Sequence, residues 1–172
     1  MTHSVWSESL ARFSDSVAAT RPAPAGVAAA AIAAELGISL LIKALAITGG
    51  QAELLNAARR ESAHLRGAAD DDIGAVMAYM QTRDAAALRQ AIEAPLRAAR
   101  AAVTGLELCA KASGAVKSSL AADLGAAQAL LAGALRAILI CIDANLRGRE
   151  EEHRDAVAER QAIEDRARVY SR

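Results

Sequence analysis

The stretch from Arg21 to Thr48 constrains the fold most, because two prolines are followed by a long run of small apolar residues. Proline holds φ at about −65° and donates no backbone hydrogen bond, so Pro22 and Pro24 interrupt any preceding helix. Alanine is the best helix former, and a helix is therefore predicted to start at once near Gly26. With so few bulky side chains, other helices can approach this one closely.

The start of that predicted helix is also the first candidate binding site. A bare first turn leaves N–H groups and the positive end of the helix dipole free to hold an anionic or carbonyl group. The alternative is an ordinary proline-marked start to a central packing helix.

Composition favours one helical domain spanning residues 1–172. Hydrophobic residues make up 53% of the chain and aromatic residues 2%, so the core must consist of Ala, Leu, Ile and Val. The 20 basic and 20 acidic residues cancel, and no polybasic run occurs. This pattern argues against a nucleic-acid partner and against binding to a membrane surface.

The cysteines and histidines do not form a recognisable metal or redox motif. Cys109 and Cys141 have no CxxC or metal-ligand spacing and are interpreted as reduced core residues of a cytoplasmic protein. The three histidines are scattered, and no signal peptide is recognised at the N-terminus. We therefore expect no metal site and no cofactor.

Two segments, Ala25–Thr48 and Leu120–Ile142, are long and apolar enough to raise the question of membrane insertion. Both contain charged or polar residues at depths where lipid makes them costly, so helices buried in a soluble bundle fit the pattern better. These residues are Glu35, Lys43, Asp123, Gln128 and Arg136.

Apolar residues recur at helical spacing along most of the chain, and no convincing period of two occurs. The fold class predicted is an all-α bundle of about five core helices plus a charged C-terminal helix, with no sheet. Asp84 is expected to cap the fourth helix, and Pro95 to kink it. The predicted helices cover residues 5–19, 25–47, 51–81, 84–110, 118–146 and part of 147–172.

Asp123 is the first candidate for chemistry, because it lies one turn into an otherwise apolar helix. Its helical face is predicted to be apolar, and desolvation would favour the protonated form of its carboxyl group. Such a group can act as a general acid or base. The alternative is an early-helix aspartate that interacts favourably with the helix dipole.

Further candidates are the acidic cluster Asp70–Asp72 and the pair Glu35 and Lys43. Three consecutive helical residues point in three directions, so at most one or two carboxylates of the cluster can share a pocket. The alternative is that all three carboxylates are solvated. Glu35 and Lys43 lie on similar faces and can meet charged partners in the core. Lys43 can also bind an anionic ligand or extend to the surface. No GxSxG, P-loop or GxGxxG motif occurs.

The order of these features resembles the cyclodeaminase/cyclohydrolase family, which includes the cyclodeaminase domain of formiminotransferase-cyclodeaminase and the methenyltetrahydrofolate cyclohydrolases. The resemblance runs from about Trp6 to Asn145. The family's Pro-Ala-Pro-Gly-Gly-Gly-Ser-like turn corresponds to residues 22–28, and its acidic stretch to residues 70–77. A proline within a helix and a late Asp and Asn follow, matching Pro95, Asp123 and Asn145.

The resemblance implies a homodimer and a tetrahydrofolate derivative as substrate. It implies addition or removal of water or ammonia at a cyclic amidinium carbon, as in hydrolysis or formation of 5,10-methenyltetrahydrofolate. Asp123 and Asp70 are then the expected catalytic residues. The residues expected to bind the ligand are Pro24, Ala25, Gly26, Val27, Lys43 and Asn145.

Several positions depart from the family pattern. The turn has Ala25 and Val27 where the family has glycine, and Cys141 replaces the first late asparagine. The family's upstream aspartate falls on Ala69, next to Asp70. Side chains at the glycine positions are expected to crowd a ligand at the turn. Two alternatives therefore stay open: a relative acting on a non-folate small molecule, and a non-catalytic helical dimer.

Overall fold

The computed structural model describes residues 4–170, and no strand occurs within that range. This confirms the predicted all-α bundle with a charged C-terminal helix. The α-helices are α1 (Leu10–Ala18), α2 (Gly26–Thr48), α3 (Ala52–Thr82), α4 (Ala85–Ala112), α5 (Ala121–Leu146) and α6 (Arg154–Ala167). Short 3₁₀ helices cover Val5–Ser7, Ser118–Leu120 and Arg168–Tyr170.

The helix boundaries follow from local chemistry. Helix α4 begins where Asp84 accepts a hydrogen bond of 2.7 Å from the Ala87 N–H, as expected for an N-cap. Helix α2 ends at Gly49, whose φ of 76° suits glycine. The predicted first helix over 5–19 is wrong as one element: Ser9 caps α1 through the Arg12 N–H and separates it from the preceding 3₁₀ turn.

Helices α2 to α5 form a four-helix arrangement, in which α2 and α4 each lie between α3 and α5. Small residues permit the close contacts. A Cβ at Gly37 would lie 3.0 Å from the Ala127 carbonyl oxygen, and one at Gly105 would lie 2.7 Å from Cδ1 of Ile38. The scarcity of bulky side chains in the sequence therefore corresponds to helices that touch through their backbones.

Helix α5 runs antiparallel to α2, and this register decides which residues meet. Lys43 lies beside Asp123 at one end, and Gly26 lies beside Cys141 at the other. Helix α3 is also antiparallel to α2, since Ala28 near the start of α2 meets Asp72 of α3. The last turns of α3 consequently extend past the beginning of α2.

Glu35 is buried in the middle of α2, with 2% of its surface exposed. Its carboxylate accepts hydrogen bonds from Ser39, Ser62 and Arg66 at 3.0–3.2 Å. The Arg66 guanidinium also stacks on the ring of Trp6, 5.1 Å from its centroid. A buried carboxylate is stable only with such partners. The expected charged partner for Glu35 is therefore present.

Two segments, Gly26–Thr48 and Ser118–Leu146, are long and apolar enough to cross a membrane by length and composition. About half of the first window (50%) and 39% of the second are buried inside the bundle. Their apolar character is thus partly explained by packing against each other and against α3 and α4. The remainder forms an exposed apolar face on the outer side of α2 and α5.

Candidate functional site

The first turn of α2 is open at its N-terminus. The Ala23–Pro24 peptide bond is cis, and Ala25 occupies the N-cap position without a side-chain hydrogen bond. The N-cap residue itself therefore satisfies none of the first N–H groups of the helix with a side chain, and the positive end of the helix dipole lies there. Val27 is 5% exposed, so its side chain points into the bundle and not towards this opening. The expectation that side chains at Ala25 and Val27 crowd a ligand at this turn stays a prediction.

Asp72 of α3 supplies the buried carboxyl group at this helix start. It is 2% exposed, and the backbone N–H of Ala28 donates a hydrogen bond to its carboxylate. Burial raises the pKa of Asp72 to about 6, although the Ala28 hydrogen bond acts in the opposite direction. A carboxyl group with this pKa exchanges a proton readily near neutral pH, which is what a general acid–base requires.

Cys141 of α5 completes this group, which we call the acid site: the first turn of α2, Asp72 and Cys141. A Cβ added to Gly26 would lie 2.9 Å from the sulfur of Cys141, so glycine is needed at this contact. Burial, and then the nearby charge of Asp72, raise the pKa of the Cys141 thiol. The thiol is therefore protonated at neutral pH and is not an activated nucleophile.

A second group of polar side chains lies farther along α3 and α5. Asn145, one turn beyond Cys141, donates a hydrogen bond of 3.0 Å to the carbonyl of Ala91 in α4. Arg149 contacts the Asn145 carbonyl at 3.4 Å and the Tyr79 hydroxyl at 3.2 Å. The predicted ligand residue Asn145 is thus close to the acid site, but its side-chain amide is engaged with α4.

Asp123 and Lys43 lie far from the acid site. They form an ion pair of 2.7 Å, with 32% and 54% of their side chains exposed. The expectation that Asp123 is desolvated is wrong, because it lies at the surface at the start of α5. Seventeen residues of α2 separate Lys43 from Gly26, which is about 25 Å of helix. Within one chain, these two residues and the α2 turn belong to different sites.

Asp70 is also directed away from the acid site. Its carboxylate accepts hydrogen bonds from the Ser4 hydroxyl at 2.6 Å and the Val5 N–H at 2.9 Å. It therefore holds the N-terminal 3₁₀ turn on α3. Asp71 is exposed and pairs with Arg97 at 2.8 Å. Of the acidic cluster, Asp72 alone enters the bundle, in agreement with three consecutive helical residues pointing in three directions.

Periodicity could have identified Asp72. Leu65, Ala68, Asp72 and Ala75 recur at spacings of three or four and are buried along α3. A carboxylate in such a stripe must meet a partner, and the Ala28 N–H at the start of α2 is that partner. The family resemblance places the upstream aspartate on Ala69, next to Asp70 and three residues before Asp72, so it predicts Asp70 and not Asp72.

Other grooves lie along α3 and α4. One between these two helices has a volume of about 490 Å³ and is lined by His64, Arg97 and Arg100 among others. Its arginines are already paired: Arg97 with Asp71, and Arg100 with Glu93 and Glu159. This groove has no buried titratable group comparable to Asp72, so we place the candidate site at the start of α2.

The described residues do not include a cluster of three or more His, Cys, Asp or Glu side chains arranged to hold a metal ion. Cys109 is buried and free, and burial raises its pKa to about 12. The absence of a cofactor therefore stays a prediction.

Comparisons with known proteins agree with this architecture. The family model of formiminotransferase-cyclodeaminase matches residues 9–163. A formiminotetrahydrofolate cyclodeaminase from Thermotoga maritima has a similar fold, with a TM-score of 0.89 and 19% sequence identity. The match covers 96% of this chain and 93% of that one. A search of curated protein sequences gave no match.

Proposed function

Since the chain belongs to the formiminotransferase-cyclodeaminase family, we propose that it adds or removes water or ammonia at the cyclic amidinium carbon of a tetrahydrofolate derivative. The observation that carries the proposal is the acid site, where the buried Asp72 carboxyl group accepts from the Ala28 N–H in the first turn of α2. The family match and the fold similarity support the folate substrate class. The reaction itself follows from what Asp72 can do.

Asp72 acts as the proton carrier in this mechanism. In hydrolysis of 5,10-methenyltetrahydrofolate, water attacks the cationic amidinium carbon and one water proton passes to the Asp72 carboxylate. The C–N5 bond of the tetrahedral intermediate then breaks, and Asp72 returns that proton to N5. The remaining hydroxyl proton leaves to solvent, so the products are 10-formyltetrahydrofolate and one proton.

In the related cyclodeaminase reaction, Asp72 acts first as a proton donor and not as a proton acceptor. N10 of the 5-formimino compound attacks the formimino carbon while protonated Asp72 donates to the formimino nitrogen. The resulting carboxylate takes the N10 proton and passes it to the same nitrogen, which leaves as ammonia, so the reaction consumes one proton overall. A pKa of about 6 leaves both protonation states populated near neutral pH, as these two roles require. The carboxylate form also stabilises the cationic amidinium by charge.

The test follows the absorbance of 5,10-methenyltetrahydrofolate with and without protein. Wild-type protein should accelerate this decay above the buffer rate. Asp72→Asn should reduce the acceleration at least ~100-fold. Asp71→Asn, on the next residue of the same helix but exposed, is the matched control and should retain activity. A flat trace with folded wild-type protein, in both reactions, would contradict the proposal.

The second candidate is action on a non-folate small molecule, and it is favoured by Cys141 beside Asp72. A thiol replaces the amide that the family resemblance leads one to expect there, so a polar contact to the ligand is changed. Under this alternative, 5-formyltetrahydrofolate at millimolar concentration leaves the melting temperature unchanged. Asp72 would still be required for turnover of the true substrate.

We also propose a homodimer that forms through the exposed apolar face of α2 and α5. Leu36 and Ile47 are both 51% exposed, and Ile140 is 69% exposed. The two helices present a surface roughly 35 Å by 20 Å, close to the ~800 Å² per partner of a stable interface. Leu36→Glu should convert a dimer to a monomer in sedimentation velocity, whereas Leu10→Glu on α1, 72% exposed, should not.

The expected location is the cytoplasm, in soluble form and without a nucleic-acid partner. Free Cys109 and Cys141 agree with a reducing compartment. Lys43 and Asp123 take no part in the proposed chemistry. Recovery of the untagged protein in the membrane fraction would contradict this assignment.

A further inference from the structure

Arg149 is held in place by neutral groups. Its two terminal nitrogens contact the Asn145 carbonyl oxygen at 3.4 Å and the Tyr79 hydroxyl at 3.2 Å. Within residues 4–170, no carboxylate lies at ion-pair distance from it, whereas six other arginines have such a partner. A guanidinium has five N–H donors, so three of them stay available on a side chain whose position is already fixed.

Arg83 adds a second cation at the same place. Its guanidinium lies over the ring of Tyr79, 5.3 Å from the centroid. Among the described residues, Arg83 is the one non-glycine with positive φ, at 55°. The nearest acidic neighbours are engaged elsewhere: Asp84 caps α4 through the Ala87 N–H, and Glu150 accepts from the Gly148 N–H. We call Arg83, Tyr79 and Arg149 the arginine rim.

Tyr79 lies on the same stripe of α3 as Asp72, seven residues farther along the helix. Arg83 and Arg149 follow the ends of α3 and α5, and Arg149 is joined to this stripe by its contact with the Tyr79 hydroxyl. Seven residues of helix place Tyr79 about 10 Å beyond Asp72. Tyr79 and Arg149 are both partly exposed, whereas Asp72 is buried.

We propose that the arginine rim binds the tail carboxylate of the substrate while its reacting carbon lies at Asp72. The inference rests on the proposed function, because a folate carries its carboxylates one benzoyl ring and one amide away from the reacting nitrogens. Arg149 provides the fork that matches a carboxylate, and Tyr79, which accepts from Arg149, still has its own hydrogen to donate. Arg83 adds positive charge from its position over the Tyr79 ring.

The first experiment measures anion binding without turnover, using glutarate as the probe. The chain has two tyrosines, so incorporation of fluorotyrosine gives two ¹⁹F signals, and Tyr79→Phe assigns them. Glutarate should shift the Tyr79 signal and leave that of Tyr170 unchanged, and Arg149→Gln should abolish the shift. Arg147→Gln, two residues earlier and exposed, is the matched control and should preserve it.

The second experiment compares 5,10-methenyltetrahydrofolate with its tail dimethyl ester. Wild-type KM should rise roughly 10- to 100-fold for the ester, with kcat nearly unchanged, because a charge-assisted hydrogen bond is lost. Arg149→Gln should raise KM for the diacid by a similar factor and show no further change with the ester. Arg149→Lys should restore part of the loss.

The outcomes separate this inference from the proposed function. Folate turnover without a glutarate shift, or with equal KM values for acid and ester, would overturn the tail site and leave the proposed function intact. A glutarate shift that needs Arg149, without any folate turnover, would support the anion site and reject the folate reaction. A third outcome is that inorganic phosphate shifts the Tyr79 ¹⁹F signal while the dimethyl ester and the diacid give equal KM values. This result would assign the arginine rim to a free anion and overturn the proposal.

Discussion

Replacing Asp72 with asparagine is expected to stabilise the folded chain at neutral pH. Burial raises the pKa of Asp72 from 3.8 to about 6. Because one pKa unit corresponds to 1.36 kcal/mol, the ionised carboxylate costs about 3 kcal/mol of folding free energy above pH 7. Asparagine keeps an oxygen that can accept from the Ala28 N–H but carries no charge, so it removes this cost.

The sign of the pH dependence follows from the raised pKa. The folded state binds the Asp72 proton more tightly than the unfolded state does, so this contribution to stability is complete below pH 3.8. It is lost as pH rises through about 6. The advantage of Asp72→Asn should therefore be about 3 kcal/mol at pH 7.5 and should fall to about 0.5 kcal/mol at pH 4.

Urea unfolding at several pH values, followed by circular dichroism, measures this difference directly. Asp71→Asn, exposed and paired with Arg97, should change stability by no more than about 0.5 kcal/mol at any of them. The reasoning would be refuted if Asp72→Asn destabilised the protein at pH 7.5. It would also be refuted if its effect were the same at pH 4 and pH 7.5, since burial of a charge would then not be the cause.

Four further expectations test the packing and the acid site. Gly26→Ala should destabilise by roughly 1–3 kcal/mol through its clash with the Cys141 sulfur, and a double-mutant cycle with Cys141→Ala should recover most of the loss. Gly105→Ala, at a close helix contact, should cost a similar ~1–3 kcal/mol in urea unfolding, with no rescue by Cys141→Ala. Gly67→Ala, where nothing lies within 4 Å, should stabilise by about 1 kcal/mol, and a loss would contradict this reasoning. Iodoacetamide should modify Cys141 slowly at pH 7.5 and faster in Asp72→Asn, because the charge of Asp72 raises the pKa of the thiol.

Local sequence signals were sufficient to predict most of the helices. The ends of α2 follow from Pro24 and Gly49, and the start of α4 follows from Asp84, because each acts through its own backbone or its own first turn. The division of the N-terminal segment at Ser9 was not predicted, since a serine cap within a helical pattern competes weakly with the apolar periodicity around it. Residues 1–3 and 171–172 lie outside the described part of the chain.

The site could be predicted only in part, because it depends on register between helices. Gly26 and Asn145 were both expected at the site. Gly26 begins α2 beside Cys141, and Asn145 lies one turn beyond Cys141. Asp123 was expected there because its neighbours in sequence are apolar. Yet sequence gives no information on which end of α5 meets which end of α2. The antiparallel packing sends Asp123 to Lys43 instead.

Register also explains how the proposed reacting group and the proposed binding group come to lie at the same end of the bundle. Helices α3 and α5 both extend past the N-terminus of α2. Side chains near the ends of α3 and α5 therefore lie beyond the first turn of α2. Asp72 is buried at that level and Arg149 lies farther out, half exposed. In the proposed binding mode, a ligand that enters along these helices meets the cations first and the proton carrier last. Such an order suits a substrate with an anionic tail and a cationic reacting head, because each charge reaches a partner of opposite sign without crossing the other.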